Sequence, residues 1–478
     1  MDDNKNIVPA EAVDAALDVL REAKNDSDMG EVLDLQGPKK LLRKLDFVLM
    51  PMILGTWLMQ SLDKTTLGAA AIFDIRQETH LVGTEYSWLG SMFFLGWIVF
   101  EYPATFLLQR FPVGKVLAAL VTAWGAVLMC HAACSNFAGL ATVRTLLGAF
   151  EAGCNPACMV IFGMFYTRAE QPFRMGIWIG FGGVAYILGG IISYGIGHIQ
   201  SALSTWKILY LIYGSITICW GVFLWVWIPD SPLSARFLTE EERKAVVLRI
   251  AENGTGLENK HWKKAQASQV PGIWVELFQG IIILSLGYTG LQTTLMTMPS
   301  GAVQIIGCTA ASYFASRFKN LRIAMSLLFI LPFLVGSLGL RLFDDSRPWG
   351  RLVCLWLCFF FASPYGIGMA LVNANTAGHT KRITTNAMYI IGAGTGSFMG
   401  PFFFKSNQEP YYSLGFDFMF VTFSCEVAVL VGLFAVLWTR NRSRRLARGN
   451  IKADVWGASQ NGFLDLTDIE NEDYEYVY

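Results

Sequence analysis

Apolar runs recur along the middle of this sequence at lengths that a water-soluble fold does not use. They begin near Phe47, Trp88, Val116, Phe137, Met175 and Trp206. They return over Met298 to Phe314, Ile323 to Leu340, Leu352 to Leu371, Thr385 to Phe403 and Phe416 to Trp438. Each approaches the ~20 residues that an α-helix needs to cross about 30 Å of hydrocarbon. The charge content agrees, because only 15% of the 478 residues are charged and mean hydropathy is +0.42, whereas soluble domains carry about a quarter charged residues. The expected fold is an all-α membrane protein of about 11–12 transmembrane helices.

The few charges set the organisation. Residues 1–45 read as a polar cytosolic tail, 46–228 as a first six-helix bundle, 229–266 as a charged cytosolic linker with one helical piece, 267–440 as a second bundle, and 441–478 as a second cytosolic tail. Within the first tail, Ala10 to Glu22 allows an amphipathic helix, but a disordered tail is preferred. The tail does not resemble a cleavable signal peptide.

Short cytosolic loops collect Lys and Arg. Arg110 and Lys115 follow the second run, and Arg168 and Arg174 follow the fourth, while the loop before the second run holds Asp74, Glu78 and Glu85. Both ends of the first bundle therefore face the cytosol. In the second bundle, Arg317, Lys319 and Arg322, then Lys381 and Arg382, then Arg440 to Arg448, are cytosolic only if a seventh crossing lies between Gln266 and Thr294. The candidate, Ile273 to Tyr288, carries Glu276 and Gln279 and suits an interface better than a bilayer core.

Two bundles joined by a charged linker suggest a repeat. Pro103-Ala-Thr-Phe-Leu-Leu-Gln-Arg110-Phe-Pro-Val-Gly114-Lys115 is echoed by Ala310-Ala-Ser-Tyr-Phe-Ala-Ser-Arg317-Phe-Lys-Asn-Leu-Arg322. In each, small residues precede an Arg-Phe turn and a further base, as suits tight helix contact at a hairpin. The competing reading is that any cytosolic turn gathers arginines. Gly392, Gly396 and Gly400 are spaced for close helix contact. Asn253-Gly-Thr and Asn441-Arg-Ser match the glycosylation pattern on the cytosolic side, where they are taken as chance. The nine cysteines are scattered, most within apolar runs (Cys130, Cys154, Cys358), and free buried thiols are expected.

Several stretches carry a resemblance: Leu62-Asp-Lys-Thr-Thr, His80-Leu-Val-Gly-Thr-Glu-Tyr-Ser-Trp-Leu-Gly, Leu291-Gln-Thr-Thr-Leu-Met-Thr-Met-Pro-Ser-Gly-Ala-Val-Gln, and Asn375-Thr-Ala-Gly-His-Thr-Lys-Arg followed by Asn386. With the stretch from Leu42 to the C-terminal Phe463-Leu-Asp-Leu-Thr-Asp, they resemble the major facilitator superfamily, and within it the fungal allantoate permease group of the anion:cation symporters. The resemblance implies a major facilitator fold of two six-helix bundles. It also implies transport of a small carboxylate such as allantoate, nicotinate or pantothenate, usually with protons. A monomer in the plasma membrane, with no cofactor and no nucleic-acid partner, is expected. One departure stands out. In such relatives the linker leads into an apolar seventh helix, whereas here Lys264-Ala-Gln joins Ala267-Ser-Gln-Val-Pro271 directly. Roughly one helix's worth of residues is absent, as a skipped exon or faulty gene model would produce, and an inactive carrier is the alternative this raises.

Ionisable groups inside spans cost about 2.5–3.5 kcal/mol each on insertion scales, so they are functional candidates. Asp63 and Lys64 lie in the first run, towards its outer end where solvation is the competing expectation, and Arg144 and Glu151 in the fourth. Arg144 and Glu151 are seven residues apart, which places them on one helix face about 10 Å apart. A carrier of anions needs a cation to hold the carboxylate, and an acid whose protonation can follow substrate loading. The resemblance implies both sites, since related carboxylate symporters place an Asp-basic pair in the first helix and an Arg and Glu at this spacing in the fourth. The alternative is that these ions only pin helices together. Asn386 is either a substrate contact or an interhelical amide. Arg110, Lys115, Arg317 and Arg322 resemble the superfamily's gating motif and are assigned to conformational control.

No GxxxxGK[ST] loop occurs, so an ATP-driven pump is disfavoured. No HExxH or GxSxG motif supports an intramembrane enzyme. Uptake of a nutrient anion then competes with export of a fungal secondary metabolite and with a non-transporting, receptor-like role for a damaged carrier.

Overall fold

The computed structural model describes residues 38–167, 169–251, 296, 298–318, 320–343, 348–377, 379–403, 413–448, 467–469 and 474–478. The stretch Ala10 to Glu22, Arg168, Lys319, and the segment Ile273 to Tyr288 with Glu276 and Gln279 lie outside the described residues.

The described chain is helical throughout its spans. In the first bundle α1 runs Pro38–Ile72, α2 is the short Ile75–Glu78, α3 runs Glu85–Arg110, α4 Val113–Cys130, α5 Phe137–Glu151, α6 Cys154–Phe165, α7 Gln171–Gly180, α8 Gly182–Ile196 and α9 Thr205–Trp227. The linker helix α10 is Glu240–Ala251. In the second bundle α11 is Met298–Arg317, α12 Arg322–Leu342, α13 Pro348–Leu357, α14 Ala362–Asn375, α15 His379–Met399 and α16 Ser413–Arg448. Pairs α5–α6, α7–α8 and α13–α14 each form one broken span.

Among the described residues, nine helical segments are long and apolar enough to cross a membrane. The expected spans at α11 and α15 form helices of 20 and 21 residues, but neither is among those nine. The reason for α11 is composition: it buries Ser300, Gly301, Gln304, Gly307 and Ser312 against protein, which lowers its hydropathy although Ile306, Tyr313 and Phe314 face outward. By contrast α16 presents Val421, Val429, Val431, Phe434 and Val436 outward.

Helix α1 starts earlier than the apolar run does. Its added turns carry Lys44, 2.5 Å from Glu242 of the linker, and Asp46, which accepts two bonds from Arg174 at 2.6 and 2.7 Å. Arg249 of α10 in turn donates to Glu170 at 2.6 Å. The linker helix is thus tied to the same end of the bundle as the basic turns. At the opposite end Glu78 accepts from Ser204 at 2.5 Å and from Trp206 Nε1 at 2.8 Å. These bonds, the hydroxyl first, hold the Glu78 carboxyl below its ordinary range. Its contribution to stability is therefore present at neutral pH and is lost as pH falls through the lowered value. Glu78→Gln should lower thermal stability at pH 7, and the difference from the unchanged chain should shrink as pH falls through the lowered value; a loss that does not change with pH would remove the charge from the account.

Glycine sets the closest helix contacts. A Cβ at Gly148 of α5 would lie 1.9 Å from the Phe93 carbonyl oxygen, and one at Gly96 of α3 would lie 1.9 Å from that of Thr145. The two backbones touch with no room for a side chain. Gly148→Val should therefore reduce the yield of monodisperse protein severely, while Gly432→Ala, which meets nothing within 4 Å, should leave it unchanged; size-exclusion profiles decide. The bundles also meet through glycine: a Cβ at Gly183 of α8 would lie 2.2 Å from the Gly301 carbonyl oxygen of α11, and the reverse distance is the same.

Farther along this antiparallel pair, Gly176 of α7 abuts Ser312 of α11. Trp88 of α3 stacks edge-on against Phe402 at the end of the second bundle, with centroids 5.1 Å apart. The cysteines are free: Cys154, Cys158, Cys308, Cys354 and Cys358 are buried as expected, but Cys130, Cys219 and Cys425 face outward.

Candidate functional site

The first bundle encloses a charged cluster. Adjacent residues on a helix diverge by about 100°, so Asp63 and Lys64 of α1 reach different neighbours. Asp63 accepts from Trp124 Nε1 of α4 at 2.9 Å, and the Thr66 hydroxyl donates to its backbone carbonyl at 2.6 Å. The Lys64 ammonium lies 3.0 Å from Glu151 Oε1. It also sits over the rings of Trp97 at 4.7 Å, Trp57 at 5.5 Å and Phe93 at 5.9 Å. A lysine in this aromatic cage keeps its charge favourable through the ring quadrupoles as well as its counter-ion.

Arg144 donates to the Tyr210 hydroxyl of α9 at 2.7 Å. Tyr210 stacks on His131 with centroids 4.5 Å apart and rings nearly parallel at 5°. Asp63 feels the charges of Glu151, Arg144 and Lys64, so the four candidates form one electrostatic unit. Asp63 is 1% exposed, Arg144 4% and Glu151 0%; the outer-end solvation expected for Asp63 does not occur, because α4 and α9 cover it.

The span carrying Glu151 breaks immediately afterwards, with α5 ending at Glu151 and α6 starting at Cys154. The neighbouring span breaks between α7 and α8, and the Ile179 carbonyl at that break accepts from Trp57 Nε1 at 3.2 Å and Gln304 Nε2 at 3.1 Å. Broken helices satisfied by side chains from other helices are the usual lining of a transport pathway.

One residue of this neighbourhood was not expected. Glu101 of α3 is fully buried, with the Trp97 indole beside its carboxyl, yet neither of its oxygens completes a well-formed hydrogen bond among the described residues. Cys154 adjoins both Glu151 and Glu101 electrostatically. The rule that picks out acids inside apolar runs applies to Glu101 too: it lies in the run beginning near Trp88, just before the Pro103 stretch. Asn155, one turn beyond Glu151, is also buried with both side-chain polar atoms lacking a partner among the described residues.

Asn386 belongs to a different network. Its amide donates to Asn373 at 3.5 Å, Asn373 donates to Gln171 at 3.2 Å, and Gln171 donates to the Tyr166 carbonyl at 3.0 Å. This amide chain joins α15 and α14 to the first bundle.

The four hairpin bases divide in matching pairs. Arg110 and Arg317 are exposed at the helix ends. Five residues beyond each, Lys115 and Arg322 reach carbonyls of other helices: Trp225 at 2.5 Å and Ala370 at 3.4 Å. Asp230 accepts from the Lys115 backbone N–H at 3.1 Å, which ties the first hairpin to the linker.

This arrangement has relatives. The sequence is 32% identical to the thiamine pathway transporter THI73 of Saccharomyces cerevisiae, over 92% of this chain and 86% of that one. It is 28% identical to the allantoate permease of the same yeast, over 99% and 92%. The structure of the proton:xylose symporter XylE is similar with a TM-score of 0.58 at 12% identity, covering 82% of this chain and 95% of that one. The pattern of the Major Facilitator Superfamily matches residues 52–433. With its broken spans, paired hairpins and all-helical fold, this multi-pass membrane protein belongs to the major facilitator superfamily and is a transporter, not an enzyme.

Proposed function

We propose that the transporter carries a small organic anion together with protons, as a member of the allantoate permease group of anion:cation symporters. The observation that carries this reading is the buried Lys64–Glu151 ion pair with Arg144 and Asp63 beside it. The cluster holds two carboxyl groups, Asp63 and Glu151, against two fixed cations, Lys64 and Arg144. An incoming carboxylate thus adds a buried negative charge that has no counter-charge left. Loading an anion is therefore favourable only with a proton. Lys64 or Arg144 would receive the carboxylate, and Glu151 would exchange its ammonium partner for a proton. The names of the yeast relatives, an allantoate permease and a thiamine pathway transporter, suit a small-solute cargo.

The test is uptake of radiolabelled allantoate, ureidosuccinate, nicotinate and pantothenate by cells expressing the chain. Uptake of one of them should rise with external acidity and collapse with a protonophore. Uptake insensitive to both, or none of the carboxylates entering while a neutral solute does, would reject the reading.

In this reading the end bearing Lys115, Arg174 and Arg322 faces the cytosol, with both tails and the linker, and the site of action is the plasma membrane. A tag at Asn253 should be unreactive from outside intact cells and reactive after permeabilisation; labelling of intact cells would invert the topology.

A second reading, an inactive carrier, has one observation in its favour. The alignment with the yeast allantoate permease runs to 507 positions, more than the 478 residues of this chain, so the relative contains residues that this chain lacks.

A further inference from the structure

Residues 467–469 and 474–478 are seated against α14, α15 and α16. Asn441 of α16 clamps the Tyr476 backbone, donating to its carbonyl at 2.7 Å and accepting from its N–H at 2.9 Å. Asn375 at the end of α14 does the same to Val477, at 2.6 and 2.7 Å. Two side-chain amides thus imitate the two sides of a strand pairing, and they come from different helices.

The side chains add direction. Asp468 meets the Lys381 ammonium at 2.7 Å and accepts from the Tyr476 hydroxyl at 3.0 Å. Lys381 and Asp468 are both nearly buried, at 6% and 4% exposure. The Tyr474 hydroxyl donates to the Ala374 carbonyl at 2.7 Å. Arg444 donates to the backbone carbonyls of Asp468 and Tyr474. A segment that only trailed from the last helix would not bury an ion pair with a different helix, because its desolvation cost is repaid only by close geometry.

The seat adjoins the contacts that close the two bundles together at their basic end. Asn375 is two residues from Asn373, which bonds Gln171 of the first bundle. Lys381 precedes Arg382, whose guanidinium packs against Gly163 of α6, 3.4 Å from where a Cβ would stand. We infer that residues 467–469 and 474–478 act as a latch: by fixing the turn between α14 and α15 to the end of α16, they hold Asn373 and Arg382 against the first bundle, and their release lets this end open. The latch is independent of what the carrier transports.

Hydrogen–deuterium exchange on the full chain in nanodiscs tests this. Asp468→Asn removes the carboxylate that meets the buried Lys381 ammonium at 2.7 Å, so exchange should quicken about tenfold or more. The quickening should reach not only 370–382 and 437–448, which touch the segment, but also 163–174 of the opposite bundle. The double variant Lys381→Gln with Asp468→Asn replaces the ion pair by two neutral amides and should restore slow exchange at 163–174. If Asp468→Asn does not fold, Tyr476→Phe, which removes the hydroxyl that donates to the Asp468 carboxylate and backbone carbonyl, should give the same pattern at about threefold. Faster exchange confined to 370–382 and 437–448 would make the segment a local brace and overturn the latch. Unchanged exchange everywhere would overturn it as well.

Discussion

Arg144→Ala and Lys64→Ala should each abolish anion uptake while the protein still reaches the membrane. Each removes one of the two cations that offset the buried carboxyl groups. Breaking a buried pair by removing one partner costs about 3–5 kcal/mol, equivalent to a loss of at least ~10²-fold in any state that needs the pair. Glu151→Gln should behave differently. It keeps the shape and a hydrogen-bonding group beside Lys64 but cannot be deprotonated, so counterflow exchange of substrate should persist while proton-driven accumulation is lost. Measuring counterflow and accumulation in the same vesicles separates these outcomes. Wild-type accumulation in the Glu151 variant would assign that residue to helix packing, and residual uptake above a tenth of wild type in Arg144→Ala would remove Arg144 from the substrate's path.

Restoring an apolar segment of about twenty residues between Gln266 and Ala267 should have an effect of similar size in the opposite direction. As written, the chain offers Ile273 to Tyr288 as its only crossing between the linker and α11, with Glu276 and Gln279 inside it. Either group against lipid is costly. Yet α11 to α16 are oriented as if the crossing were made: the Arg322 end of α12 and the Asn375 end of α14 lie beside Gln171 and the linker-bearing end of the first bundle. Packing against α7 and α8 holds α11 in that orientation through Gly183, Gly301, Gly176 and Ser312. The inserted chain should therefore slot into an existing arrangement and raise both thermal stability and uptake. Equal transport by the two chains would show that the segment is dispensable.

The spans could be read from sequence because a helix in lipid must be apolar over its whole length, and runs such as Thr205–Trp227 have no other use. Helices α11 and α15 were read from their runs as well, although neither is among the nine most apolar of the described segments. The polar residues that lower the hydropathy of α11, such as Ser300, Gln304 and Ser312, are buried against protein. The start of α1 was set too late for a related reason: its first turns are basic and are held by Glu242 and, through Asp46, by Arg174, contacts far away in sequence. Asp63, Lys64, Arg144 and Glu151 could be picked out since a charge in an apolar run is conspicuous. Their pairing could not, because spacing along α5 says nothing about which side chain α1 presents to it. Glu101 was equally conspicuous and was passed over in favour of the hairpin motif that follows it. The seating of Tyr476 and Val477 between Asn375 and Asn441 has no local signature at all.

The glycine contact between α8 and α11 also bears on how such a molecule moves. Where side chains interlock across an interface, one body can turn on another only by unseating each knob from its hole, and every rotamer change adds a small barrier. Gly183 and Gly301 put bare backbone against bare backbone, so at that one point no knob has to leave a hole. The seam there is a smooth journal on which one half can roll while helix spacing stays constant, and resistance to rolling falls to the side-chain contacts on either side of it, Gln304–Ile179 along the seam and Asn373–Gln171 at its end.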